Sequence, residues 1–349
     1  MGLLKHTEQI ATRCVDIPIP IQMRKIGHDE MISYLRLIVN AAHLCDNDEV
    51  KFFDHIAIIY NPKSTGDAPK MAKDLADSIN GHFEIIQKKA TLYPTKRAGD
   101  AIDIAEDVTK RCARPLIVSV SGDGGYNEVI NGVMKAKKLF PAQRPVGAVM
   151  AAGNANDHKR VMRGDTPLIR LIKHPEPKQI DLISITAKTS DFELTRYAHS
   201  YIGFGITPEV GHELNRHGKS RWNEIWLTLK TLKDFTPFTI ERDGVVKRYD
   251  NLIFANINEM AKFVKLDAKN TVHDGKFEVI AVRHRGKLNM LRKLVGAALS
   301  GFHRPPSFAR YSFICIEASP IQLDGEIEQL PAQCKATIKS HQAIIETLY

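Results

Sequence analysis

Short apolar runs, each closed by a polar turn, recur through the middle of this chain at residues 55–60, 116–120 and 145–150. Runs of this length bounded by Gly- and Asn-bearing turns read as buried strands. Between them, residues 68–79 carry apolar positions at helical spacing, 83–88 read as a further strand and 95–112 as a second helix. Strands alternating with helices are the signature of a parallel sheet. Residues 163–177, with Pro167, Pro175 and Pro177, predict a short helix leading into a linker.

From about residue 180 the pattern changes to period two. Alternating segments at 179–186, 192–201, 238–241, 245–254 and 277–282 predict an antiparallel, sandwich-like domain. A helix over 220–232 interrupts it, and its Trp222, Ile225, Trp226, Leu229 and Leu232 read as a packing stripe. Lys219, Arg221, Lys230 and Lys233 beside that stripe leave a membrane-facing role as the alternative. Ahead of the first strand, residues 17–21 are extended by their prolines, and 29–43 place Met31, Tyr34, Leu35, Ile38 and Ala42 at helical spacing. This extension reads as an arm covering a sheet edge or forming a homodimer contact.

The expected architecture is therefore an α/β N-terminal domain with a parallel sheet, plus an antiparallel β-sandwich-like C-terminal domain. The boundaries are an extension at 1–51, an α/β domain at 52–177 and a β-rich domain at 178–324. A tail at 325–349 returns to the first domain, with 338–348 as a closing strand. The active site is expected in the cleft between the domains.

Composition narrows the function classes. Five scattered cysteines with no CxxC pair argue against a disulfide framework and a zinc site, and fit a reducing cytosol. No apolar run approaches 18 residues, so no spanning helix is expected. A formal charge of +9 favours solubility or an anionic partner. No helix-turn-helix, zinc-finger or RNP-type motif points to nucleic acid.

The loops carry the candidate chemistry. Ser121-Gly-Asp-Gly-Gly-Tyr-Asn-Glu128 joins an apolar strand to a helix, a corner where glycines admit a ligand and free N–H groups attract an anion. It matches neither GxGxxG spacing nor a Walker loop, and a plain connecting turn is the competing reading. Asp123 would repel a phosphate unless it faces a divalent cation or a proton to be removed. Asn61-Pro-Lys-Ser-Thr-Gly66 and Ala151-Ala-Gly-Asn-Ala-Asn-Asp157 end the flanking strands. In an open parallel sheet such loops meet at the carboxyl ends of the strands.

This ordered series resembles the diacylglycerol kinase catalytic-domain family, which includes bacterial lipid kinases, sphingosine kinases and ceramide kinases. Ser200-Tyr-Ile-Gly-Phe-Gly205, His273-Asp-Gly-Lys-Phe277 and Leu323-Asp-Gly-Glu326 continue the order, so the likeness spans residues 52–349. It implies an ATP- and Mg²⁺-dependent kinase acting on a hydroxyl of diacylglycerol or a related lipid or sphingoid alcohol. The protein would be cytoplasmic and peripheral at a membrane surface that holds its lipid substrate. The same resemblance implies Glu326 as general base and Asp123 as organiser of metal and phosphates. Asn61, Thr91, Ser121, Gly122, Asp123, Gly124, Gly125, Tyr126, Asn127, Glu128 and Asn154 would line the nucleotide. Asp274, with the carbonyls of Thr271 and Lys276, would hold a structural Mg²⁺. A simple hairpin turn remains the competing reading of each Asp-Gly step.

The chain departs from the family pattern at Gly125 and Asn154, where most members carry threonine, and at Thr207, where many carry aspartate. Asn258-Glu-Met-Ala-Lys262 replaces a glycine cluster. An NAD kinase is the alternative enzyme, and a non-catalytic nucleotide- or lipid-binding member of the fold is the alternative outside enzymes. The Asn-Glu directly after the glycine loop and the closing Asp-Gly-Glu favour a lipid kinase.

Overall fold

A computed structural model describes residues 52–64, 66–86, 88–153, 156–205, 237–260, 264–265, 272–286 and 305–349. The expected segments at 17–21, 29–43 and 220–232 lie outside these residues. Residues 53–349 form one compact unit.

The first part runs β1 (His55–Tyr60), α1 (Ala68–Gly81), α2 (Phe83–Ile86), β2 (Ala90–Pro94), α3 (Asp100–Arg111), β3 (Pro115–Ser121), α4 (Asp123–Leu139), β4 (Val146–Ala151), α5 (Asp157–Met162) and α6 (Leu168–Lys173). The four strands are parallel in the order β2-β1-β3-β4. Helices cover the sheet, so β3 is buried throughout and reads as an unbroken apolar run rather than an alternating one. The chain turns outward from β1 to β2, then returns to place β3 on the other side. The topological switch point therefore lies between β1 and β3, which fixes where a ligand crevice opens.

Two expectations here are corrected. The strand expected at 83–88 is not formed by Phe83–Ile86: the amides of Ile85 and Ile86 bond back to His82 O, continuing the chain in a helical turn after α1. The strand comes later, at Ala90–Pro94. The helix expected from residue 95 starts only at Asp100, because the Asp100 carboxylate accepts the amides of Lys96 and Arg97 and holds them in a turn.

The second part is antiparallel: β5 (Lys178–Lys188), β6 (Glu193–Ala198), β7 (Tyr201–Gly205), β8 (Phe238–Arg242), β9 (Val245–Ala255), β10 (Glu259–Met260), β11 (Val264–Lys265), β12 (Phe277–Arg283), β13 (Ser307–Phe308), β14 (Arg310–Cys315), β15 (Ser319–Leu323), β16 (Glu326–Leu330) and β17 (Cys334–Thr347). Its core is aromatic, with Phe204, Phe254 and Phe277 fully buried and Phe238, Tyr311 and Phe313 packed among them. The α/β part has a separate core built on Tyr126, Val129, Ile130 and Ile117.

β17 joins the two. It pairs antiparallel with β14 and β5, then parallel with β4 at Glu346 and Thr347. Ile338 lies in the aromatic core and Ile345 in the α/β core, so a single strand belongs to both. A bulge at Ala343 (φ 50°) marks the crossing, and the buried Asp181 carboxylate accepts the amides of Ala343 and Gly275 there. The closing strand expected over 338–348 is thus present. Arg114 and Arg144 grip Glu346, and Tyr126 Oη shares a hydrogen bond with Thr347.

Candidate active site

The loops after β1, β3 and β4 meet at the carboxyl end of the parallel sheet. Ser64 Oγ and the Gly66 amide both donate to Ala152 O, at 2.7 and 3.0 Å. The Ala152 amide donates to Ser121 O, and the backbones of Gly153 and Gly122 pass too closely for a Cβ on Gly153. Asn61 is exposed at the rim, its side chain closing a turn onto the Lys63 amide.

Asp123 opens α4. Its carboxylate accepts the amides of Asp157 (3.0 Å) and His158 (3.2 Å), tying the second loop to the third. Burial, then the neighbouring Asp157 charge, pushes its pKa up to about 7. An ionised Asp123 would therefore lie in a surplus of negative charge, which is where a divalent cation is welcome.

Glu326 reaches this corner from the second part. β15 and β16 form a hairpin in which Leu323 faces Glu326, leaving a two-residue Asp324-Gly325 loop with both residues at positive φ (50° and 105°). This is the hairpin turn of the plain alternative, and it sets Glu326 at the corner. The Glu326 carboxylate lies directly against Gly124, where a Cβ would collide with it. Burial, followed by the charges of Glu128, Glu328 and Asp324, raises its pKa. Among the described residues it forms no ion pair. A carboxylate held in a desolvated, electronegative corner is a stronger base than an exposed one.

Asp324 is the brace. Fully buried, it accepts the amides of His199, Ser200 and Tyr201 and the Asn127 side-chain amide, at 2.7, 3.0, 2.8 and 2.9 Å. Burial raises its pKa while these four donors oppose the rise. Asn127 comes from α4, so this cluster locks the hairpin bearing Glu326 to the helix bearing Asp123. His199 fills the space between, its Nε2 3.3 Å from Asp123 O, and burial lowers its pKa to about 3, which keeps the ring neutral.

Several expected nucleotide contacts are placed differently. Tyr126 is fully buried: its amide bonds to Gly122 O and its hydroxyl to Thr347, so it supports the loop from behind. Asn127 is buried too, its amide donating to Tyr197 O and Asp324 and its Oδ1 accepting from Asn131. Glu128 accepts the Gly99 amide at the start of α3 and lends its charge to Glu326. Thr91 sits within strand β2, in register with Ala57, below the strand end. Thr95, which the sequence reading missed, lies at the loop level, its amide bonded to Tyr60 O at 2.9 Å. Asn154 lies outside the described residues.

The Asp274 site is simpler. Asp274 is exposed, and its Oδ1 accepts the Lys276 amide at 2.9 Å. Thr271 lies outside the described residues, and no cluster of three or more His, Cys, Asp or Glu occurs among those described. One carboxylate with carbonyl oxygens suits a hard, largely hydrated cation such as Mg²⁺.

Comparison with known proteins agrees with this geometry. Residues 55–185 match the model of the diacylglycerol kinase catalytic domain. The chain is 27% identical over 292 residues to a diacylglycerol kinase of Staphylococcus carnosus, covering 79% of this chain and 90% of that one. It is 26% identical over 255 residues to the Bacillus subtilis diacylglycerol kinase, covering 70% and 79%. The fold is that of a crystal structure of a diacylglycerol kinase from Bacillus anthracis str. Sterne, with TM-score 0.61 and 20% identity over 85% of this chain and 97% of that one.

Proposed function

We propose that the chain is a lipid kinase of the diacylglycerol kinase catalytic-domain type, whose model its residues 55–185 match, and that it moves the γ-phosphate of ATP to a hydroxyl of diacylglycerol or a related lipid alcohol. The observation that carries this reading is the seat of Glu326: a hairpin from the antiparallel part delivers a raised-pKa carboxylate onto Gly124 of the anion-binding loop. A kinase acceptor must have its proton taken beside the phosphate it attacks, and this is where the two requirements meet.

In this reading Glu326 removes the hydroxyl proton. The loop amides between Gly122 and Gly125 orient the phosphates, with Asn61, Ser64 and Thr95 at the rim. Asp123 holds the cation side, and a bound Mg²⁺ would neutralise charge on the transferring group. Asp324 and Asn127 touch no substrate; they keep Glu326 and Asp123 in register. Asp274 and Lys276 would hold a second, structural Mg²⁺. No helix among the described residues is long and apolar enough to cross a membrane, and the lipid would be met at a membrane surface.

The test is a product analysis. Purified protein with γ-labelled ATP, Mg²⁺, NAD and a panel of diacylglycerol, sphingosine and ceramide in mixed micelles should yield one labelled lipid phosphate. Label passing to NAD instead, or to nothing, would reject the lipid-kinase reading.

A further inference from the structure

β3 is buried along its whole length, yet two of its seven residues are serines. Ser119 and Ser121 point the same way along the strand, with hydroxyl oxygens 2.6 Å apart. Buried hydroxyls weaken a core unless they are used. These are used: Ser121 donates at 3.0 Å to Gly122 O, the same carbonyl that accepts the Tyr126 amide. The pair therefore fixes the first peptide of the phosphate loop, and through it the direction of the amides that follow.

Gly125 stands against this device. It is the third residue of α4, and its backbone is not left-handed, so no conformational demand calls for glycine there. Space calls for it. A Cβ at 125 would lie 2.5 Å from Ser121 Oγ and 2.6 Å from Ser121 Cβ. The hydroxyl can rotate aside, but the Cβ cannot move without the strand, so alanine at 121 would give no relief. A side chain fits at 121 or at 125, not at both.

We infer that Ser121 and Gly125 are a mutually exclusive pair, and that the Ser121 hydroxyl is a positioning group for the phosphate loop. The positioning role rests on the kinase reading; the exclusivity does not.

The experiment is a cycle in the full chain read by thermal melting and by ATP kinetics. Alanine is the better helix former in open space, so Gly125→Ala should raise the melting temperature in a Ser121→Gly background. In the native chain it should lower that temperature by several degrees. Ser121→Ala keeps the packing and removes the hydroxyl; it should raise KM for ATP about three- to tenfold, the worth of one hydrogen bond, with kcat near native and a melting temperature lowered by a few degrees because the buried Ser119 hydroxyl loses its partner. Ser121→Gly/Gly125→Ser returns a hydroxyl from the other side and should bring KM back toward native.

A Gly125→Ala effect of the same sign in both backgrounds overturns the exclusivity. An unchanged KM in Ser121→Ala overturns the positioning role. If the native chain transfers no phosphate, the proposed function fails, and the melting cycle still judges the pair.

Discussion

Replacing Asp123 with asparagine removes a carboxylate that the fold holds against its own preference. Its folded pKa of about 7 lies above the ordinary 3.8. A raised carboxylate pKa stabilises the protein below the ordinary value, and that stability is lost as pH rises towards the folded one. At about 1.4 kcal/mol per pH unit, Asp123 drains about 2–3 kcal/mol between pH 5 and pH 8. The neutral amide of the Asp123→Asn variant would carry no such dependence. It also meets two amides, of Asp157 and His158, with only one acceptor oxygen, which costs about 1–2 kcal/mol at every pH. The variant should thus melt below the native protein at pH 5 and draw level with it or pass it by pH 8. Kinase activity should be lost throughout. Urea unfolding of both proteins across this range, without Mg²⁺, reads the difference directly. Parallel stability profiles would refute the claim that Asp123 is a buried, charge-strained group.

Other perturbations probe the supports. Asn127→Asp sets a second carboxylate against Asp324 and should destabilise the protein by about 2–4 kcal/mol, more at pH 8 than at pH 5, in denaturant titrations at the two pH values. Glu346→Gln weakens the grip of Arg114 and Arg144 on the closing strand; it should cost about 1 kcal/mol in unfolding experiments and leave kcat near native, because the strand end is remote from Glu326. Tyr126→Phe loses the hydrogen bond to Thr347 and should lower stability by about 1 kcal/mol, with ATP KM unchanged if Tyr126 supports the loop only from behind.

The architecture is legible where period and punctuation agree. β1, β3 and β4 are short apolar runs ending in glycine or asparagine turns, and the same signal locates the loops that meet. It fails at 83–88, where Phe83, Ile85 and Ile86 look like a strand but helical bonding to His82 continues α1. Thr91, implied by the resemblance, lies within β2, and Thr95 stands at the level of the loops. Glu326 is found through its motif and the need to bring a base to the phosphate. The bracing by Asp324 and Asn127 is not legible, because it depends on which of several polar neighbours face each other once two distant segments pack. Tyr126 and Asn127 fall within a functional motif, yet motif membership does not distinguish a ligand contact from the scaffold behind it.

The central claim is that Glu326 takes the proton from a lipid hydroxyl beside the glycine loop. Steady-state rates of diacylglycerol phosphorylation for native protein and Glu326→Gln, with ATP affinity measured separately, test it most directly. The account predicts a kcat loss of about 10²–10⁴-fold, the usual worth of a general base, with ATP affinity and melting temperature close to native. A Glu326→Gln protein that keeps its kcat would contradict it.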